Sequence, residues 1–146
     1  MNPLRDLLFH LSRLVIGCVF LYAGAIKAAD MTAFAGSVAA YQLLPYSFNM
    51  LVAAILPYVE ILAGVLLIFN TRVKPAALVL LLLDTVFILA LATAIYRGLS
   101  IDCGCFSQDP NRAITTPQMA LLRDLGLLVG ILCAYLLAPA ERRNRY

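Results

Sequence analysis

The chain has 146 residues, 63% apolar and 13% charged, with a mean hydropathy of +0.91. Soluble domains carry roughly 25% charged residues, so the composition excludes an ordinary soluble protein and predicts an all-α, polytopic membrane protein. The formal net charge of +3 follows from how Lys and Arg are distributed around the membrane and gives no reason to expect nucleic-acid binding.

A helix needs about 20 apolar residues to cross a bilayer core. Four stretches qualify, at about 7–27, 50–69, 74–96 and 117–138, predicting a single four-helix transmembrane domain. Arg5 before the first span, and Val15-Ile16-Gly17-Cys18 within it, faintly resemble a cleaved leader. Arg13, however, leaves only four apolar residues before Cys18, whereas a leader needs about 7–15 uninterrupted ones. The first span is therefore expected to stay in place. Along it, Arg13, Gly17, Phe20, Gly24 and Lys27 recur at helical spacing and share one face. That face is expected to look into the bundle, since charges facing lipid are costly and glycines admit a neighbouring helix. Arg13 and Lys27 have long enough stems to reach opposite surfaces.

Met31, Phe34, Val38, Tyr41 and Leu44 repeat at helical spacing up to Pro45, predicting a short interfacial helix after the first span. Tyr41, Tyr46 and Phe48 suit an aromatic belt. This segment reads either as a surface connector or as a cover for a redox loop or an apolar ligand. The second span carries Pro57, Glu60 and Gly64 on one face, and the third carries Asp84 near its middle. Carboxyls at that depth are paired, protonated or lining a polar cavity. Arg123 lies close to the depth of Glu60, and Arg13 is placed to approach Asp84 from the other side. The fourth span opens on Thr116-Pro117, an N-cap followed by proline. It holds Arg123, Asp124, Gly126 and Gly130, the two glycines forming a predicted packing seam. Cys18 and Cys133 fall inside spans, where a cysteine behaves as a small hydrophobe.

Between the third and fourth spans stands Asp102-Cys103-Gly104-Cys105-Phe106. A disulfide between residues two apart must bend the backbone, because the extended separation is at or beyond the disulfide range, and Gly104 permits the bend. Such a bridge is strained and labile, suited to exchange rather than to stapling a fold. Seven Lys and Arg (Arg5, Arg13, Arg72, Lys74, Arg142, Arg143, Arg145) lie on the side of the termini, against three (Lys27, Arg97, Arg112) on the other. The positive-inside rule then sets both termini in the cytoplasm and the Cys103/Cys105 loop in the periplasm of a bacterial inner membrane, where disulfides persist. Arg97, Arg112 and Arg123 favour the thiolate and Asp102 opposes it, so either cysteine remains open as the attacking one. No nucleotide, flavin or haem motif occurs. No intrinsic cofactor is expected, and a quinone is the natural lipid-soluble electron acceptor. A closed zinc site needs four ligands, and the loops on this side offer two cysteines and no histidine, so no metal site is expected.

From Arg13 to Asp124 the chain resembles the MauE/DoxX group of small four-helix membrane proteins. The likeness rests on the Arg13, Gly17, Gly24, Lys27 face, on Tyr41-Gln42-Leu43-Leu44-Pro45, on Pro57 with Glu60 and Gly64, on the cysteine motif and on Arg123-Asp124. Ser107 departs from the usual glycine. The resemblance implies a redox-associated protein, implicated in disulfide formation in periplasmic clients such as methylamine dehydrogenase. Other relatives look like subunits of quinone-linked sulfur oxidoreductases. The resulting expectation is a thiol–disulfide oxidoreductase acting through Cys103 and Cys105 on a thioredoxin-like or client partner. Asp102, Phe106, Arg97, Arg123, Asp124, Glu60, Asp84, Lys27 and Arg13 would support it. A non-catalytic anchor subunit and a soft-metal handling protein are the rival readings.

Overall fold

A computed structural model describes residues 3–99 and 116–138. Asp102, Cys103, Cys105, Phe106 and Arg112 lie outside the described residues, as does the basic tail. Five helices follow in chain order: α1 Pro3–Ala29, α2 Met31–Ala40, α3 Tyr46–Ile68, α4 Val73–Tyr96 and α5 Pro117–Leu137. All but α2 are long and apolar enough to cross a membrane, and no strand occurs among the described residues. The expected four spans with a short helix after the first are therefore present. At 1.5 Å per residue α1 runs about 40 Å, longer than the predicted span, and begins at Pro3. Helix α3 begins at Tyr46 with Pro45 as its N-cap, so Asn49, just before the predicted span of 50–69, lies inside the helix.

Helix α1 packs chiefly on α3 and also on α5, α4 packs on α5, and α2 lies on α3. The predicted inward face of α1 is correct: Arg13, Gly17, Phe20, Gly24 and Lys27 are all buried. Its glycines explain how closely α3 approaches. A Cβ on Gly24 would stand 2.8 Å from both the Pro57 carbonyl oxygen and Ile61 Cγ1, and one on Gly64 would stand 2.8 Å from the Gly17 carbonyl oxygen. Lipid supplies no hydrophobic drive between helices, so such close packing carries much of the association. Gly24→Ala is expected to destabilise the folded bundle by about 1–3 kcal/mol, the usual cost of overpacking, measured as the shift of a denaturation midpoint in detergent. The control is Gly126→Ala. Nothing would lie within 4 Å of its new Cβ, and the midpoint should move by less than about 0.5 kcal/mol equivalent.

Gly126 thus corrects the expected Gly126–Gly130 seam. Gly130 does pack, against Ile16 of α1, but Gly126 faces outward. Cys18 and Cys133 are free and on exposed helix faces. Helix α2 also departs from its predicted face. Phe34, Ala35 and Tyr41 are buried, whereas Met31 and Leu44 are exposed, because the helix ends at Ala40 and Gln42 turns left-handed at φ 52°. At its start the Asp30 carboxylate accepts from the Ala33 amide at 3.0 Å and the Thr32 hydroxyl at 2.8 Å. These bonds, the amide first, hold its carboxyl below the ordinary value.

Candidate functional site: a polar core beneath the thiol loop

The end of the bundle from which residues 100–115 depart is a packed platform. Leu99, the last described residue of that flank, sits against Tyr41, Leu91, Ala94 and Ala120. Ala120 lies in the first turn of α5, so both flanks of the cysteine segment are anchored in one cluster. Arg97 ties α2 to this platform: its Nη1 donates to the Tyr41 carbonyl at 3.2 Å and its Nη2 to Gln42 Oε1 at 3.1 Å. The second bond stabilises a non-glycine residue in the left-handed region, where side chains other than glycine are disfavoured. Arg97 was expected to serve the thiols; in the described residues it serves as a latch for the α2–α3 connection.

Deeper in the bundle, Lys27 of α1 and Glu60 of α3 form a buried, two-pronged ion pair. Nζ lies 2.7 Å from Oε1 and 2.9 Å from Oε2, with the two side chains 3% and 1% exposed. Lys27 does not reach for the surface. The Gly24–Ile61 contact brings the two backbones together, and the rings of Phe34 from α2 and Phe87 from α4 cover the ammonium at 5.3 and 5.0 Å from their centroids. Cation–π attraction to both rings adds to the charge pairing, and the rings exclude water from it. Helix α2 therefore covers the polar core through Phe34, more than a surface connector would.

Helices α4 and α5 supply the rest. Leu91 and Ala94 pack on Ala120 near the loop end, and Leu80 packs with Ile131 toward the other. This antiparallel register sets Asp124 level with Phe87, and Asp84 about one turn, roughly 5 Å, further from the loop. Both carboxyls are buried. Asp124 Oδ1 accepts from Arg123 Nε at 2.9 Å and Nη2 at 2.8 Å. Among the described residues Asp84 Oδ2 and Asn49 Oδ1 are buried without a hydrogen-bond partner, an arrangement native proteins rarely leave unanswered.

Two of the expected pairings are corrected. Glu60 meets Lys27, not Arg123, which turns to its neighbour Asp124. Arg13 does not approach Asp84. Its Nη1 donates to the Leu67 and Ile68 carbonyls at 2.8 and 3.1 Å at the α3 C-terminus, where a cation is also favoured by the helix dipole. Phe87 and Asn49 were not identified from sequence as part of the core. Phe87 is one helical turn from Asp84 and shares its face, the only signal available without the fold. Among the described residues no three His, Cys, Asp or Glu side chains converge as a metal site would require.

The family model described as "Methylamine utilisation protein MauE" matches residues 5–138. A curated relative, the methylamine utilization protein MauE of Paracoccus denitrificans, is 33% identical over 116 residues, covering 79% of this chain and 61% of the relative. The chain thus spans about three fifths of the length of that relative. No solved structure matches it significantly.

Proposed function

Because the chain belongs to the MauE family and is a multi-pass bacterial membrane protein, we propose that it exchanges dithiol for disulfide through Cys103 and Cys105 during maturation of a methylamine-utilisation partner. The observation that supports this reading is that the described residues on either side of 100–115 pack together at one end of the bundle, Leu99 and Ala120 in one cluster with Tyr41. A reactive pair needs fixed flanks so that a partner's sulfur can approach in line. The bias of Lys and Arg supports a periplasmic loop with both termini cytoplasmic, where the partner would be a thioredoxin-like protein or the client itself.

In the exchange, a thiolate of the pair attacks a partner disulfide, or a partner thiolate attacks the Cys103–Cys105 bridge, giving a mixed disulfide that the second cysteine resolves. When the partner is oxidised, its two thiols become a disulfide, Cys103 and Cys105 become a dithiol, and two electrons and two protons remain to be removed before the next cycle. A quinone is the acceptor class this proposal names; when bound it supplies a sink for two electrons and two protons. Asn49 fits the reduced form of such a headgroup: its carboxamide oxygen, an acceptor buried near the loop end without a partner among the described residues, would accept from a hydroxyl of the quinol. Arg97 holds the α4 terminus that leads into the thiol segment, and the Lys27–Glu60 pair joins α1 to α3 below it.

The redox midpoint of the Cys103–Cys105 couple tests the reading. Purified protein in detergent would be equilibrated across a glutathione series and the free thiols alkylated and counted by mass. A midpoint above about −200 mV, in the range of disulfide donors, is expected. One below about −300 mV, typical of structural disulfides, would instead mark a clasp in a non-catalytic anchor subunit.

A further inference from the structure

The buried charges of the bundle do not balance. Three carboxyls, Glu60, Asp84 and Asp124, are 1%, 3% and 3% exposed. Among the described residues the cations on the same stretch of the helices are two, Lys27 on α1 and Arg123 on α5, and each is already in contact with a carboxylate. Arg13 is occupied at the opposite end with the α3 carbonyls. Helix α2 presents Phe34 to this region and no charge. Whatever else Arg123 touches, a guanidinium carries one positive charge, so among the described residues one carboxylate of the three has no counter-charge of its own. An uncompensated carboxylate in so apolar a setting takes up a proton rather than persist as an anion. The orphan atom identifies which one. Glu60 has both oxygens on Lys27 and Asp124 has Oδ1 on Arg123, whereas Asp84 Oδ2 is buried with no partner.

We propose that the core of the bundle is a proton-binding site holding one exchangeable proton on Asp84, about one turn further from the loop end than Asp124. A second buried oxygen without a partner, Asn49 Oδ1, stands on the loop side of Glu60 on the same face of α3, so the polar atoms descend from the loop end toward Asp84. The bound species is a proton and not a metal ion, since no set of metal ligands converges among the described residues. The site deepens the exchange reading by supplying a place inside the membrane for a proton released at the thiols, yet its existence does not depend on that reading.

Infrared spectroscopy of the full chain in lipid vesicles tests it. At neutral pH the wild type is expected to show a carbonyl band of a protonated carboxyl that shifts in D2O. Asp84→Asn and Asp124→Asn should each abolish it, since either leaves two carboxylates facing two cations. Lys27→Met should about double it, because a second carboxyl then lacks a cation. A wild-type spectrum without the band, or a band that outlives either Asp substitution, overturns the proposal, and the wild-type spectrum alone suffices to do so if a variant does not fold. The measurement uses no thiol chemistry, so its failure leaves the exchange reading standing, just as a low Cys103–Cys105 midpoint would leave the proton site standing.

Discussion

Cys103→Ser and Cys105→Ser are each expected to abolish disulfide transfer completely while leaving the four-helix bundle assembled. Transfer requires both sulfurs: one to form the mixed disulfide and one to resolve it. Serine has similar volume but does not form a disulfide. The two single variants should differ in what they accumulate. The variant that keeps the attacking cysteine should trap a mixed disulfide with its partner, visible as a covalent adduct on a non-reducing gel. The other should trap little. That asymmetry would decide which sulfur attacks, a choice the opposing influences of Asp102 and the nearby arginines leave open. Nothing in the described packing relies on these side chains, so the denaturation midpoint of the reduced protein should be unchanged in both. If the double serine variant still left its partner correctly oxidised, the exchange reading would fall and the anchor subunit would take its place.

The largest effect on stability should come from Lys27→Met. Lys27 and Glu60 are almost fully buried and joined at 2.7 and 2.9 Å. Removing one partner of a buried pair leaves the other charge uncompensated and costs about 3–5 kcal/mol. Methionine preserves the length of the stem and its contact with Phe34 and Phe87, so the loss reports the charge and not a cavity. The double variant Lys27→Met, Glu60→Met should recover most of the loss, since exchanging a whole buried pair for apolar side chains is often neutral or stabilising. Unfolding in detergent of the wild type, both single variants and the double variant forms a complete cycle. If Lys27→Met cost less than about 1 kcal/mol, which is the range of an exposed pair, the Lys27 ammonium would have to reach water.

The Lys27–Glu60 pair also shows where sequence reading stops. That Lys27 shares a helix face with Gly17 and Gly24, and Glu60 with Pro57 and Gly64, follows from helical periodicity alone. That the two faces meet depends on the register of α1 against α3. The register is set by contacts of Gly24 with Pro57 and Ile61 and of Gly17 with Gly64, distant in sequence. Without it, depth was the only guide, and depth paired Glu60 with Arg123. Arg13 was misassigned for a related reason. Its partners are the backbone carbonyls of Leu67 and Ile68, and a main-chain acceptor leaves no mark in the sequence beyond the end of a helix. Phe87 is one apolar residue in a leucine-rich span, and only the approach of α4 to Lys27 distinguishes it.

Hydropathy, length and the placement of proline and glycine were enough to establish four membrane-crossing helices, the short helix after the first and the inward face of α1. Each of these depends on a local property: the transfer of a segment into lipid or the 3.6-residue period. Tertiary structure decided which charges are partners, that α2 covers the core through Phe34, and that Arg97 latches Gln42. Those are properties of faces brought together from separate helices. In a uniformly apolar environment many helix registers are similarly compatible with burial, and close glycine contacts with a few long polar side chains select among them.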